Sequence, residues 1–281
     1  MSDPAPGISI LILTLNEEAN IEAVLDSVAG FDDIVVLDSC STDRTVELAT
    51  ARGARVVRRP FDNWAAHHNW ALAQIDFRHP WIFYLDADER MTPALEEEIR
   101  AIAADPEEER VGFYCGRDNF FLGRVIRHCY PPVPILRFYK PQCVTYARLV
   151  NPTTHVVGRV GHLRNRFLHF NFSKGLTEWL AKHNGYSQAE AIEAVVSRDR
   201  DEVRLRDLVH TDPSTRRAAL KRLAWRVPFR PQLKFLWLYI GCRGFLDGWP
   251  GYVYCRLQAT YEYFIDLKVK EIRLARRGVR M

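Results

Sequence analysis

A chain of 281 residues with 47% hydrophobic and 26% charged side chains can bury a substantial core, and its composition excludes a disordered segment or a repeat array. Six cysteines are scattered without metal-ligand pairing, which argues against a disulfide-stapled scaffold or a zinc module and for reduced thiols in a cytosolic setting. The net charge of +4 conceals an asymmetry: residues 198–281 hold 19 Lys/Arg against 9 Asp/Glu, whereas residues 1–197 hold 20 against 26, so a basic tail follows an acidic body and an anionic partner is expected for the tail.

The stretch Met1 to Gly7 has no basic n-region and leads straight into an apolar run, so no signal peptide is expected. Ile8 to Leu15 is continuous apolar sequence, as in a strand covered on both faces. Asn16-Glu17-Glu18 then turns into a helical pattern on Ile21, Val24, Leu25 and Val28. A second strand, Ile34 to Leu37, ends in Asp38-Ser39-Cys40-Ser41-Thr42-Asp43, and Ser41 or Thr42 is expected to cap the helix that follows. Val56-Val57 reads as a short third strand and Trp64 to Ile75 as a helix carrying His67, His68 and Asn69. Trp81 to Leu85 is a fourth strand that ends in Asp86-Ala87-Asp88-Glu89. Alternation of strand and helix predicts a parallel sheet with right-handed crossovers, whose ligand crevice lies beyond the strand carboxyl ends. All three polar clusters fall on that edge. Carboxylates one residue apart there suit a hard divalent cation, although an Asp-x-Asp triplet also occurs as ordinary solvated loop acids.

Further along, Arg117 to Arg124 and Tyr130 to Arg137 mix aromatics, prolines and arginines, a lining that suits sugar rings and phosphates and is equally ordinary loop punctuation. Leu163 to His169 reads as a strand. Pro231 to Cys255 is rich in Trp and Tyr, yet its longest uncharged apolar run, Leu236 to Cys242, falls far short of the ~20 residues that span a bilayer.

Thr14-Leu15-Asn16-Glu17, Asp38 to Asp43 and Leu85 to Glu89, in that order and spacing, resemble the family 2 glycosyltransferases. The subgroup acting on bacterial lipopolysaccharide cores and surface polysaccharides is the nearest in pattern. The resemblance implies an α/β fold of GT-A type, Rossmann-like and mostly parallel with flanking helices, followed by a helical, interfacial C-terminal appendage. The catalytic domain is expected over residues 1–215, with a nucleotide-sugar half to about 110 and an acceptor half from 111, and the basic aromatic segment over 216–281. It implies that Thr14, Asn16, Glu17, Asp38, Ser41, Asn69 and Asp86 face the donor. It also implies that Asp86 and Asp88, with His169 completing the site, hold Mg²⁺ or Mn²⁺ against the diphosphate, Asp88 counting among the catalytic groups. His169 also reads as a half-buried strand histidine, and His67 and His68 as a solvated helix start. Where the family usually has a second acid and a glycine after Asp38, this chain has Ser39 and Cys40.

Transfer with inversion needs a base for the acceptor hydroxyl. The matching stretch, Asn151 to Gly158, has Val156 where the family carries an acid. His155 is the candidate base or else a strand histidine with a structural role, and Asp118 and Glu178 are fallback acids.

The expectation is therefore a metal-dependent inverting transferase that takes a sugar from a nucleotide donor, UDP-linked by resemblance, to a lipid-linked or polysaccharide acceptor. The tail would hold it on the anionic inner face of the plasma membrane, or would pack as a helical pair on protein or on a second copy. A non-catalytic nucleotide-sugar or glycan binder on the same fold is the alternative. A sugar-1-phosphate nucleotidyltransferase is disfavoured by the lack of glycine in Thr14 to Glu18, and nucleic acid is not expected, since no binding motif accompanies the basic tail.

Overall fold

The computed structural model describes residues 7–130, 133–147, 153–200, 216, 219 and 227–279, with backbone alone at 153 and 197–200. They fall into two compact units, one within residues 1–120 and 132–173 and the other within 121–131 and 174–281.

In the first unit the strands are β1 (Ile8–Thr14), β2 (Asp33–Asp38), β3 (Arg55–Arg58), β4 (Trp81–Asp86), β5 (Glu89–Arg90), β6 (Arg110–Phe121), then β8 (Ile135–Tyr139), β9 (Val144–Ala147), β10 (Thr153–Val156) and β11 (Arg159–His169). A short strand β7 (Arg124–Ile126) belongs to the second unit. The main sheet runs β3-β2-β1-β4-β8-β6-β11-β5. Its first four strands are parallel, as expected; β8 is antiparallel to β4 and β6, and β11 is parallel to β6. Helices α1 (Ile21–Asp26), α2 (Thr45–Ala51), α3 (Trp64–Gln74) and α4 (Pro93–Ala104) connect the strands.

The apolar runs are continuous because both sheet faces are covered. Ile10, Ile12, Val36, Phe83 and Leu85 enter one core with Val24, Leu95 and Ile99 of α1 and α4, while Leu11, Leu13, Val35, Leu37 and Ile82 enter the other with Ala71 of α3. Register then fixes the functional edge: Thr14 lies beside Asp38, and Leu13 beside Asp86.

Helix α2 is not capped as expected. It starts later, at Thr45, and Asp43 Oδ1 accepts from the Thr45 amide at 3.0 Å, while the Ser41 hydroxyl is drawn inward to Asp38.

The second unit contains β7 and the helices α5 (Gly175–Arg200), α6 (Arg230–Leu236) and α7 (Gly248–Arg276), with a π-helical turn at Trp237–Gly241 and a 3-10 turn at Gly244–Asp247. Both α5 and α6 pack on α7. Helix α5, expected with the catalytic domain, thus belongs to this unit, because its buried Trp179, Ala191, Ala194 and Val195 need a helical partner. The expected boundary at 215/216 adjoins residues 201–215, which lie outside the described residues, as do Asn151, Pro152, Arg217, Lys221, Arg222 and Arg226. Among the described residues no helix is long and apolar enough to cross a membrane.

Candidate active site

The turn after β1 and the turn after β2 are laced together by their own polar groups. The Asp38 carboxylate is fully buried and accepts from the Thr14 hydroxyl at 3.0 Å, the Ser41 amide at 2.8 Å and the Ser41 hydroxyl at 2.5 Å, with Arg58 Nε 3.7 Å away. Ser41 Oγ in turn accepts from the Asn16 amide at 2.8 Å, and the Asn16 side-chain oxygen accepts from the Thr42 amide at 2.8 Å. The Glu17 amide donates to Thr45 Oγ1 at 2.7 Å. Asn16 and Cys40 both sit in left-handed backbone, at φ 54° and 65°. Asparagine tolerates that region well; cysteine does not, and a glycine at position 40 would sit there without strain. Thr14, Asn16, Glu17, Asp38 and Ser41 are thereby brought together, with Asp38 and Ser41 bracing the loops from inside.

Asn69 is held by the backbone of β9. Its amide group donates to the Tyr146 carbonyl and accepts from the Tyr146 amide, both at 2.8 Å, and so pins the edge of β9. His67 faces the donor-side loop: Arg59 Nη1 donates to its Nδ1 at 2.8 Å, and its Nε2 approaches Ser39 Oγ at 3.4 Å. Burial, then the Arg59 charge, lowers its pKa and keeps it neutral. His68 is no solvated helix start. It is buried between Tyr84 and Tyr146, its Nδ1 donates to the Trp64 carbonyl at 2.7 Å, and burial pushes its pKa down to about 4.

At the end of β4 the two carboxylates have different surroundings. Asp86 Oδ1 accepts from the Tyr84 hydroxyl, and Asp86 Oδ2 accepts from Arg137 Nη2 at 3.0 Å. The same guanidinium donates to Glu89 Oε1 at 2.6 Å, and Glu89 Oε2 accepts from the Asp86 amide at 2.9 Å. Arg137 and Glu89 are buried, and the guanidinium lies 4.2 Å from the centre of the Tyr84 ring. Burial raises the Glu89 pKa to about 8, against the pull of Arg137. Burial also opposes the charge on Arg137, yet Glu89 and Asp86 outweigh it and hold the guanidinium protonated. An arginine expected to grip an acceptor phosphate is instead the base plate under Asp86.

Asp88 faces His169. The register of β11 sets His169 beside Glu89 of β5 and Asn119 of β6. His169 Nδ1 lies 2.8 Å from Asn119 Oδ1, and its Nε2 lies 3.4 Å from Asp88 Oδ2, within ion-pair reach. An imidazole nitrogen and a carboxylate oxygen this close are both ligand types that a divalent cation accepts. Among the described residues no three His, Cys, Asp or Glu side chains converge as a complete metal cage. A carboxylate and an imidazole together suit an ion that keeps water and takes further ligands from substrate oxygens, as Mg²⁺ and Mn²⁺ do.

His155 lies on the exposed face of β10, which pairs with β9, while Val156 packs against the core beside Tyr146 and Val144. The position where an acid was sought is thus an apolar, inward one. Of the fallback acids, Asp118 is paired with Arg166 at 3.0 Å, and Glu178 belongs to α5 in the second unit. Sequence reasoning missed Tyr84, Glu89, Asn119 and Arg137 as parts of the site. For Arg137 a signal existed: a lone charge inside the strand Ile135-Leu136-Arg137-Phe138-Tyr139 must be paired if that strand is buried.

Loops knit at the carboxyl ends of parallel strands, with an acid pair at the next strand, form the polar edge where α/β sheets bind their ligands. Residues 9–169 match the sequence model of glycosyl transferase family 2, and the chain belongs to that family of glycosyltransferases. The lipopolysaccharide core biosynthesis glycosyltransferase LpsC of Rhizobium meliloti is 28% identical over 92% of this chain and 93% of its own. An uncharacterized glycosyltransferase of Rickettsia typhi, RT0209, is 25% identical over 97% of this chain and 89% of its own. Among solved structures, glucosyl-3-phosphoglycerate synthase from Mycobacterium tuberculosis overlaps 49% of this chain and 58% of its own at 23% identity, with a TM-score of 0.35.

Proposed function

We propose that this glycosyltransferase is inverting and metal-dependent, and moves a sugar from a UDP-linked donor to a lipid-linked or lipopolysaccharide-type acceptor at the inner face of the plasma membrane. The observation that carries the reading is the opposition of Asp88 and His169 Nε2 at the sheet's carboxyl edge, beside an Asp86 already held by Arg137 and Tyr84. A bound Mg²⁺ or Mn²⁺ would supply Lewis-acid stabilisation of the diphosphate leaving group. Asp88 and His169 would seat it; Asp86, fixed in orientation, would meet the ribose or the metal's water. Thr14, Asn16, Glu17 and the loop braced by Asp38 would hold the nucleoside, with Ser39 and His67 at its border. The acceptor class rests on the 28% identity to a lipopolysaccharide core transferase and on the basic, aromatic tail.

The base is assigned to His155, the nucleophilic side chain of the matching stretch that faces outward. The experiment is UDP-sugar turnover together with Mn²⁺ binding read by electron paramagnetic resonance. Asp88→Asn is expected to lose the bound-Mn²⁺ signal and to lower turnover on the order of a hundredfold or more. His155→Ala should lower turnover while Mn²⁺ and UDP still bind. Wild-type protein that binds UDP and Mn²⁺ but never consumes the donor would instead favour a non-catalytic nucleotide-sugar binder, and undiminished Mn²⁺ binding in Asp88→Asn would remove the metal assignment.

A further inference from the structure

The turn between α6 and α7 carries an apolar surface that nothing in the transferase chemistry uses. Trp237 is 60% exposed, Ile240 60%, Phe245 48%, Leu246 56% and Trp249 69%, all within thirteen residues of chain. Single exposed apolar residues are normal; five on one short turn, two of them tryptophans, call for a partner.

The surface is preformed. Leu238 and Tyr254 are buried beneath it, and Tyr239 stands among Phe235, Phe245 and Tyr252 at ring-centre distances of 5.2 to 6.3 Å. Gly251 packs directly on the Gly244 carbonyl, an approach that any Cβ would block. The Asp247 carboxylate accepts from the backbone amides of Arg127, His128 and Cys129 at 3.1, 2.9 and 2.8 Å, so the 3-10 turn is tied down. Holding tryptophans outward on a rigid turn costs stability in water, which an apolar partner would return.

Charge selects the partner. Between residues 227 and 260 the basic side chains are Arg230, Lys234, Arg243 and Arg256, and the sole acid is Asp247, whose side chain is 4% exposed and already saturated with donors. Arg230 and Lys234 are taken up by Glu262, and Arg230 also by Asp266, whereas Arg243 and Arg256 are exposed, so the outward charge at the turn is positive and comes from these two arginines. Indole rings beside cations, with no acid outward, match the headgroup boundary of an anionic bilayer.

We infer that Trp237, Ile240, Phe245, Leu246 and Trp249 form a wedge that inserts into the headgroup–acyl boundary of an anionic lipid surface, with Arg243 meeting the headgroups. The inference rests on the lipid-acceptor reading above and deepens it: attachment is by a shallow apolar insertion and does not depend on a loose basic tail alone.

The test uses the intact protein with vesicles of phosphatidylcholine and phosphatidylglycerol in a roughly two-to-one mixture, some carrying brominated acyl chains. Co-sedimentation with quenching of tryptophan emission by the bromolipid is expected. Trp237→Ser, Ile240→Ser and Trp249→Ser should each weaken partitioning roughly tenfold, the effect of withdrawing one large apolar side chain. Arg243→Gln should reduce the preference over pure phosphatidylcholine. The quenching measurement needs no variant, so it decides even if a substitution disturbs folding. Absence of vesicle binding, or binding without quenching, would overturn the wedge. So would a dimer, seen by sedimentation velocity, that the Trp237→Ser/Trp249→Ser variant dissociates, since the face would then belong to a second copy. UDP-sugar turnover without vesicles separates the two readings: turnover with no lipid binding sinks the wedge alone, and lipid binding with no turnover sinks the transferase assignment alone.

Discussion

Position 40 shows what a single residue can store. Cys40 is exposed and held at φ 65°, a conformation that costs an L-residue about 1–2 kcal/mol relative to the right-handed region. Cys40→Gly removes that strain and gives back part of it as chain entropy, so stability should rise by roughly 0.5–1 kcal/mol in denaturant unfolding. A loss would mean that the side chain makes an interaction worth more than the strain. Arg137 acts in the opposite sense. Removing one partner of a buried pair leaves the other charge uncompensated, and Arg137→Met should cost about 3–5 kcal/mol. The double variant Arg137→Met/Glu89→Gln should recover little of this, because buried Glu89, its pKa already about 8, protonates once Arg137 is gone and the unpaired charge left is that of Asp86. Strict additivity in that cycle would show the two groups to be energetically independent. Neither residue's role was legible from sequence spacing, since Arg137 reaches Asp86 and Glu89 across 51 and 48 residues of chain.

Among the elements, the parallel strands were the most legible, because both faces of β1, β2 and β4 are buried and, apart from Ser9 and Asp33, every residue in them is apolar until the functional edge. Less legible were elements whose identity depends on distant partners: the start of α2, and β11, which begins at Arg159, before the apolar pattern at Leu163. Helix α3 had a clear pattern but hid its electrostatics. His68 looks like one of two polar residues at a helix start, yet it is buried, and its folded pKa is about 4 against an ordinary 6.5. A histidine with a depressed pKa contributes stability that is complete above pH 6.5 and is lost as pH falls toward 4. The size is on the order of 3 kcal/mol. His68→Phe, which can keep the contact with Tyr146, should flatten the dependence of unfolding free energy on pH in that window. An unchanged acid limb would mean that other groups set it.

At the scale of the whole molecule, sequence composition separated an acidic body from a basic tail. In the structure, residues 174–281 fall in the second unit, where α5 packs on α7, a pairing across 47 intervening residues that no local pattern reveals. This changes what truncation does. Removing residues 221–281 would take α6 and α7 from α5 and expose Trp179, Ala191, Ala194 and Val195. Light scattering should therefore find that shortened protein aggregated, where a detachable tail would have left it monodisperse. Surface substitutions on the turn between α6 and α7 are the gentler probe of attachment.

The anchoring of residues 127–129 by Asp247 also orders events at the ribosome. The Cys129 amide and the carboxylate that receives it are 118 positions apart, so at about 5–20 residues per second the earlier segment emerges roughly 6–24 s before its acceptor exists. During that interval Cys129 and Tyr130, which later lie against α7, have no docking site. The nascent chain must carry an unfinished, partly apolar excursion while those 118 residues are made, and closure of the second unit waits for Asp247.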